Sequence, residues 1–230
     1  MLLAIDTSTA QIGMALYDGV TVPAEFTCAS GLHHTQELAP MLSRMLSQCG
    51  KTMGEVHAVG VAIGPGSFTS LRVGLAFVKG LALARHLPLI GVPTLDVVAA
   101  MVPPSDPSTG SGHSRKLAAV LQAGRGRLAL VWYRASESGW QAEGPAIGTT
   151  AEELVEKIHK PVIVCGEMTE NDRHRLGRKF KNVTLASPAQ CVRRPGILAE
   201  IAWGRWQAGQ VDAAASLAPI YLHVVGGPPA

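Results

Sequence analysis

Several signatures are missing from this sequence, and each absence removes a class of chemistry. There is no Cys-x-x-Cys. The four cysteines, Cys28, Cys49, Cys165 and Cys191, lie far apart in the chain. That usage fits the reduced thiols of a cytoplasmic protein better than a disulfide framework or a zinc site. There is no His-x-x-x-His among His33, His34, His57, His86, His113, His159, His174 and His223. A metalloenzyme needs a convergent ligand set, so no metal is expected. The Gly-Lys-Ser/Thr of a phosphate loop is absent, and so is the Gly-x-Ser-x-Gly elbow of a serine hydrolase. Ser67 and Ser70 are therefore poor nucleophile candidates, although a spatially assembled triad stays open. The longest apolar run, Val73 to Val92, is broken by Lys79, Arg85, His86 and Pro88, so no membrane span is expected. The start, Met1-Leu2-Leu3-Ala4-Ile5, meets Asp6 too soon for a signal peptide. Aromatic residues make up only 5%.

What is present is a chain of 230 residues, 47% apolar and dominated by Ala, Leu, Val and Gly. That suits close helix–sheet packing in one large α/β domain or two small lobes. Residues 1–110 carry 5 Lys+Arg against 7 Asp+Glu, and residues 111–230 carry 15 against 10. The basic second half reads first as a solvated surface, and second as one that could meet an acidic partner or RNA.

The pattern predicts a three-stranded meander, Leu2–Ile5, Ile12–Tyr17 and Val20–Cys28, with Asp18-Gly19 as a hairpin signal. Helical spacing follows over His33–Cys49, with Gly50 ending it. Val56–Ile63 and Leu89–Val92 read as strands, and Thr94 as the cap of a short helix to Met101. Pro-, Ser- and Gly-rich residues 103–114 are the expected linker between an N-terminal lobe, 1–102, and a smaller lobe, 115–190. In that lobe Lys116–Gln122, Leu128–Arg134, Trp140–Glu143, Pro161–Cys165 and Val183–Leu185 read as strands. Helices are expected from Thr150, with its capping pattern, and over Asn171–Lys179. A last helix, Pro195–Gln207, contains Trp203 and Trp206. With the tail to about 225 it is expected to pack back on the first lobe, and the end to fray. No repeat of useful period is visible.

The most informative stretch is Gly64-Pro65-Gly66-Ser67-Phe68-Thr69-Ser70-Leu71-Arg72-Val73-Gly74, leading into a helix that should end before Pro88. Ser67 or Thr69 can cap it. Arg72, Lys79 and His86 form a narrow polar stripe. Leu71, Leu75, Val78 and Ala82 make one apolar face. Val73, Phe77, Leu81, Ser70, Gly74, Gly80 and Ala84 make another. Such a helix is buried on more than one side, either by its own chain or by a partner. The turn itself reads as a phosphate site at a helix N-terminus or, preferably, as glycines permitting a sharp bend. Asp6-Thr7-Ser8-Thr9 reads as a phosphate- or magnesium-holding turn or as a plain hairpin bend. Gly124-Arg125-Gly126-Arg127 reads first as a solvated turn, and second as a hairpin tip that could touch phosphate or RNA.

Leu3-Ala4-Ile5-Asp6-Thr7-Ser8-Thr9, the segment His33–Pro40, Val61–Gly74 with Lys79-Gly80-Leu81-Ala82, and Pro219-Ile220-Tyr221-Leu222 resemble the TsaB (YeaZ) family of bacterial tRNA threonylcarbamoyladenosine biosynthesis proteins. The resemblance is dense over residues 1–100 and sparse afterwards. It implies an actin/Hsp70-like ATPase (ribonuclease H-like) fold of two lobes, each a mixed sheet with flanking helices. It implies a non-catalytic subunit that supports TsaD, the paralogue acting on adenosine 37 of certain tRNAs, with a TsaE-like ATPase as a further component. Metal and catalysis belong to TsaD in that family. Expected interface residues are His34, Leu38, Met41, Met45, Phe68, Ser70, Leu71, Val73, Gly74, Phe77, Val78 and Leu81. Asp6, Thr7, Ser8 and Thr9 are expected near any phosphate or nucleotide. No cofactor is expected to bind tightly to the lone chain, with ATP or ADP possible only at the complex interface. Self-pairing is expected when the partner is absent, and tRNA contact through the complex. Ser70 stands where the family usually has Gly. His33-His34-Thr35-Gln36-Glu37 replaces the usual His-Ser-Glu pattern, and His223 stands where Arg is common. An ATP-dependent phosphotransferase of the same fold is the alternative, and a peptidase ranks last.

Overall fold

The computed structural model describes residues 1–30, 33–104, 116–137, 139–179 and 181–222. The expected linker from 105 onward, His113, His223 and the tail beyond it lie outside them. The helices are α1 (His34–Gln48), α2 (Phe68–Arg85), α3 (Thr94–Ala100), α4 (Ala151–Lys157), α5 (Glu170–Gly177) and α6 (Pro195–Gln207). The chain divides into two compact units. The first is Met1–Val97 with Arg194–Ile220, and the second is built mainly from Val98–Arg193.

The first unit carries β1 (Leu2–Asp6), β2 (Gln11–Tyr17), β3 (Ala24–Ala29), β4 (Ala58–Ala62) and β5 (Leu89–Val92), in the order β3-β2-β1-β4-β5. The first three strands pair antiparallel, and β4 and β5 join in parallel. Every residue of β1, β4 and β5 is buried, as expected of a sheet covered on both faces. Alternation sorts the side chains of β1. Leu3 and Ile5 pack with Leu38, Leu42, Leu75 and Val78 of α1 and α2. Leu2 and Ala4 pack with Leu198, Ala199 and Ala202 of α6. Small residues set how closely α6 approaches: a Cβ at Gly60 would stand 2.6 Å from that of Ala202. No side chain of its own caps the N-terminus of α6. Glu25 of β3 supplies one instead, accepting from Gly196 N at 2.8 Å and from Arg194 Nε at 3.0 Å.

The second unit carries β6 (Lys116–Gln122), β7 (Leu128–Ser136), β8 (Gly139–Ala142), β9 (Ile147–Thr149), β10 (Val162–Gly166) and β11 (Val183–Leu185). Their order is β11-β10-β6-β7-β8, with β9 also on β7. The β6–β7–β8 meander is antiparallel, and β10 and β11 join in parallel. Leu154, Ile158 and Leu176 of the α4–α5 region close one face. Both units therefore follow one plan, a meander whose first strand pairs in parallel with a later strand and that with the last, β9 being an addition on β7 in the second unit. The repeat lies in the topology and leaves no period in the sequence. This doubled mixed α/β arrangement is the actin/Hsp70-like ATPase (ribonuclease H-like) fold.

Two local expectations are corrected. The third strand begins at Ala24 rather than Val20. The Asp18 carboxylate accepts from Val20 N, Thr21 N and Thr21 Oγ1 at 2.8, 2.6 and 2.8 Å, which wraps residues 18–21 into a turn. Thr94 is the first residue of α3 rather than its cap, and its hydroxyl serves another turn, described below. Trp203 packs edge-on against Tyr17 and Trp206 at the partly buried margin of α6. Among the described residues no helix is long and apolar enough to cross a membrane.

Candidate functional site

Strand β1 ends at Asp6, and the chain turns through Thr7, Ser8 and Thr9 before β2. All four are buried, none more than 5% exposed. Buried polar groups require partners, and this turn finds them within the first unit. Ser8 N donates to Asp6 Oδ1 at 2.7 Å. Thr7 Oγ1 donates to the Ser70 carbonyl at 2.8 Å. Thr94 Oγ1 accepts from Gly64 N at 3.0 Å and shares a 2.7 Å hydrogen bond with Ser8 Oγ. Ser67 N donates to the Ser8 carbonyl at 2.7 Å. On the far side His34 meets the Thr9 carbonyl through Nε2 at 2.9 Å and Ser30 Oγ through Nδ1. A carbonyl only accepts, so Nε2 carries the proton.

The glycines allow this closeness. A Cβ at Gly66 would come within 2.2 Å of the Ser8 carbonyl oxygen, and one at Gly74 within 2.0 Å of Thr7 Oγ1. Gly64 has φ +101°, a left-handed conformation that favours glycine. The polar turn and the first turns of α2 are thus bonded to each other. Ser67 caps α2, accepting from Ser70 N at 3.5 Å and from Ser70 Oγ at 3.0 Å. Their chemistry in this structure is to aim and hold the helix.

The α1–α2 face is apolar but narrower than the sequence suggests. Leu71, Leu75, Val78 and Ala82 are buried in the core beneath α2, and Leu38 and Met45 beneath α1. Ser70 and Gly74, read from the sequence as part of an outward face, are buried: the Ser70 carbonyl accepts from Thr7 Oγ1, Gly74 lies against Thr7, and His34 is buried beside the same turn. These side chains are covered by their own chain. Met41, Val73, Phe77 and Leu81 are half-buried. Phe68 is 56% exposed, with the Arg72 guanidinium stacked 4.7 Å from its ring centroid. Leu83, not anticipated, is 67% exposed. Leu38, Phe68, Arg72, Val73, Ala76 and Phe77 contribute to a groove of about 500 Å³ between α1 and α2. On the other side of Phe77 a second hollow of about 520 Å³ meets Leu42, Leu46 and Leu81.

Sequence reasoning missed Thr94 and Ser30. Thr94 follows a proline at the start of a helix, where a cap is the ordinary expectation, and its true partners lie 30 and 86 residues away. Nothing in local spacing signals Ser30. Among the described residues no group of three or more His, Cys, Asp or Glu could hold a metal ion.

Comparison with known proteins gives a consistent picture. Residues 17–196 match the family model described as TsaD: tRNA N6-adenosine threonylcarbamoyltransferase. The tRNA threonylcarbamoyladenosine biosynthesis protein TsaB of Escherichia coli K12 is 36% identical over 170 residues, 74% of this chain and 66% of that protein. TsaB of Bacillus subtilis 168 is 34% identical over 99 residues, 43% of each chain. The chain thus spans less than two-thirds of either relative. The crystallised YeaZ from Pseudomonas aeruginosa superposes with a TM-score of 0.73 at 21% identity, covering 96% of this chain and 99% of the other, a likeness of fold.

Proposed function

This chain belongs to the TsaD family of tRNA N6-adenosine threonylcarbamoyltransferases and their TsaB relatives, and from that premise we propose that it is a non-catalytic subunit of tRNA threonylcarbamoyladenosine modification that binds and supports a TsaD-type partner. The observation that carries this reading is the apolar α1–α2 face, with largely exposed Phe68 lining the groove and Leu83 largely exposed further along α2. Contiguous exposed apolar surface of this kind marks interaction sites. A standard specific interface would bury about 800 Å² on each partner. Residues that reach that surface are Phe68, Val73, Phe77 and Leu81, whereas Met41 lies on the other side of α1, in a hollow with Pro23 and Phe26. Leu38, Leu71, Val78, Met45, Ser70, Gly74 and His34 act behind it as the support that fixes its shape. With no partner present, two copies would pair through the same face.

The engaged state of the Asp6–Thr9 turn supports the non-catalytic part of the proposal. A phosphotransferase would present Thr7 and Ser8 to nucleotide phosphates, but both hydroxyls already meet protein groups. ATP or ADP, a TsaE-like ATPase and tRNA would then be met by the assembled complex in the cytoplasm. The test has two arms. On a sizing column the chain and a TsaD-type protein from the same source should elute as one complex. In a calorimetric titration with ATP and magnesium, the lone chain should give no tight binding and no turnover. Separate elution, or magnesium-dependent turnover by the chain alone, would overturn the proposal.

A further inference from the structure

Cys165 and Cys191 are 26 residues apart, and the second unit brings them together. Cys165 lies in β10 and is fully buried. Cys191 closes the 3-10 turn Ala189–Cys191 and is half-buried. The Cys165 thiol donates to the Gln190 carbonyl at 3.3 Å, next to Cys191 in the chain. Gly166 N, the next amide along β10, donates to Cys191 Sγ at 3.4 Å. Arg173 Nη1 stands 3.7 Å from that sulfur. The guanidinium is fixed there because its Nη2 donates to the Ala186 carbonyl at 2.7 Å. The nearby Glu167 is paired with Arg193 at 2.8 Å.

We propose that Cys191 and Cys165 form a redox pair, oxidised to a disulfide by hydrogen peroxide, with Cys191 as the attacking sulfur and Cys165 as the resolving one. Two donors converge on Cys191, a backbone N–H and a cation. The neighbouring Cys165 thiol first, then the Gly166 N–H and Arg173, hold the Cys191 thiol below the ordinary thiol range, while Cys191 and burial push Cys165 up. A thiolate beside a cation and partly open to solvent is the reactive form of cysteine. In the first step the Cys191 thiolate attacks one peroxide oxygen. The S–O bond forms, the O–O bond breaks and hydroxide leaves, taking a proton from solvent. Sulfur has lost two electrons to the peroxide, and Cys191 is a sulfenic acid. In the second step Cys165 sulfur attacks Cys191 sulfur. The S–S bond forms, the S–O bond breaks, and the Cys165 proton leaves with the oxygen as water. The disulfide brings the two sulfurs to about 2.05 Å.

The test uses the full reduced chain. At pH 6, limited alkylation with iodoacetamide should label Cys191 roughly tenfold faster than the half-buried Cys28 and Cys49, after allowing for the lower nucleophilicity of a low-pKa thiolate. Mild peroxide followed by denaturing alkylation and peptide mass spectrometry should give a Cys165–Cys191 cross-link. It should be two hydrogens lighter than the separate peptides and reversed by dithiothreitol, with Cys28 and Cys49 still alkylated. In Cys165→Ser, which keeps a donor beside Cys191 but cannot form the disulfide, the sulfenic acid should persist on Cys191 and be trapped by dimedone. Alkylation of Cys191 no faster than of Cys28 and Cys49 would overturn the proposal. So would recovery of both thiols alkylated after peroxide, or the absence of a dimedone adduct in Cys165→Ser.

Discussion

Thr94 joins parts of the chain that sequence distance keeps apart. Its hydroxyl links Gly64 N, at the start of the glycine turn, to Ser8 Oγ, in the turn after β1. Replacing it with valine keeps the shape and removes both bonds. A buried polar group left unsatisfied costs about 1–3 kcal/mol. Thr94→Val should therefore lower the free energy of unfolding by an amount in that range, read as a lower urea midpoint, while Thr94→Ser should recover most of it. A Thr94→Val midpoint equal to wild type would show that the hydroxyl bridge does not hold these turns. Asp18 offers a pH readout. The Thr21 N–H first, then the Val20 N–H and the Thr21 hydroxyl, hold its carboxyl at about 2 against the ordinary 3.8. A depressed carboxylate stabilises the fold above its unfolded value and loses that contribution as pH falls through the folded one. The loss should therefore occur between about 3.8 and about 2. A carbon-detected NMR titration should place the Asp18 midpoint near 2, and a midpoint near 4 would mean the turn is not formed in solution.

At the scale of an element, α2 was legible as a capped helix, apolar nearly all round, and its end at His86 before Pro88 follows the sequence. Which faces turn inward was not legible. Leu71, Leu75, Val78 and Ala82 follow the periodicity, but Ser70 and Gly74 are buried because Thr7, 63 residues before Ser70, bonds the Ser70 carbonyl and lies against Gly74. Periodicity is blind to so distant a contact. The two glycines of α2 separate the cases. A Cβ at Gly74 would stand 2.0 Å from Thr7 Oγ1, while one at Gly80 would meet nothing within 4 Å. Gly74→Ala should therefore cost about 1–3 kcal/mol through overpacking. Gly80→Ala should stabilise by about 0.5–1 kcal/mol through helix propensity. Equilibrium unfolding of the pair should give shifts of opposite sign, and equal signs would contradict the inward placement of Gly74.

Over the whole molecule, strand identities were largely readable because β1, β4 and β5 are continuous apolar runs. Leu89–Val92, Lys116–Gln122, Val183–Leu185 and Pro195–Gln207 agree with the sequence reading to the residue. The duplicated topology was not readable. Strand order depends on pairings between distant segments, and the two units share a plan without sharing side chains. The polar turn was found by its residue types, but its partner Thr94 was not, since it meets the turn through tertiary contact alone, and neither was Ser30, which bonds His34 behind the turn. The same holds for Cys191 and Cys165. At this scale the claim that governs the rest is that the outer α1–α2 surface binds a TsaD-type partner. Leu83 lies seven residues after exposed Ala76, two helical turns on, and so returns to the same stripe. Calorimetric titration of the partner should compare wild type, a variant carrying Ala76→Glu with Leu83→Glu, and a control, Val192→Glu, in the second unit. The account predicts at least a tenfold weaker Kd for the α2 variant, about 1.4 kcal/mol, with its circular dichroism unchanged and the control at wild-type affinity. Wild-type affinity in the α2 variant with its helix intact would contradict it.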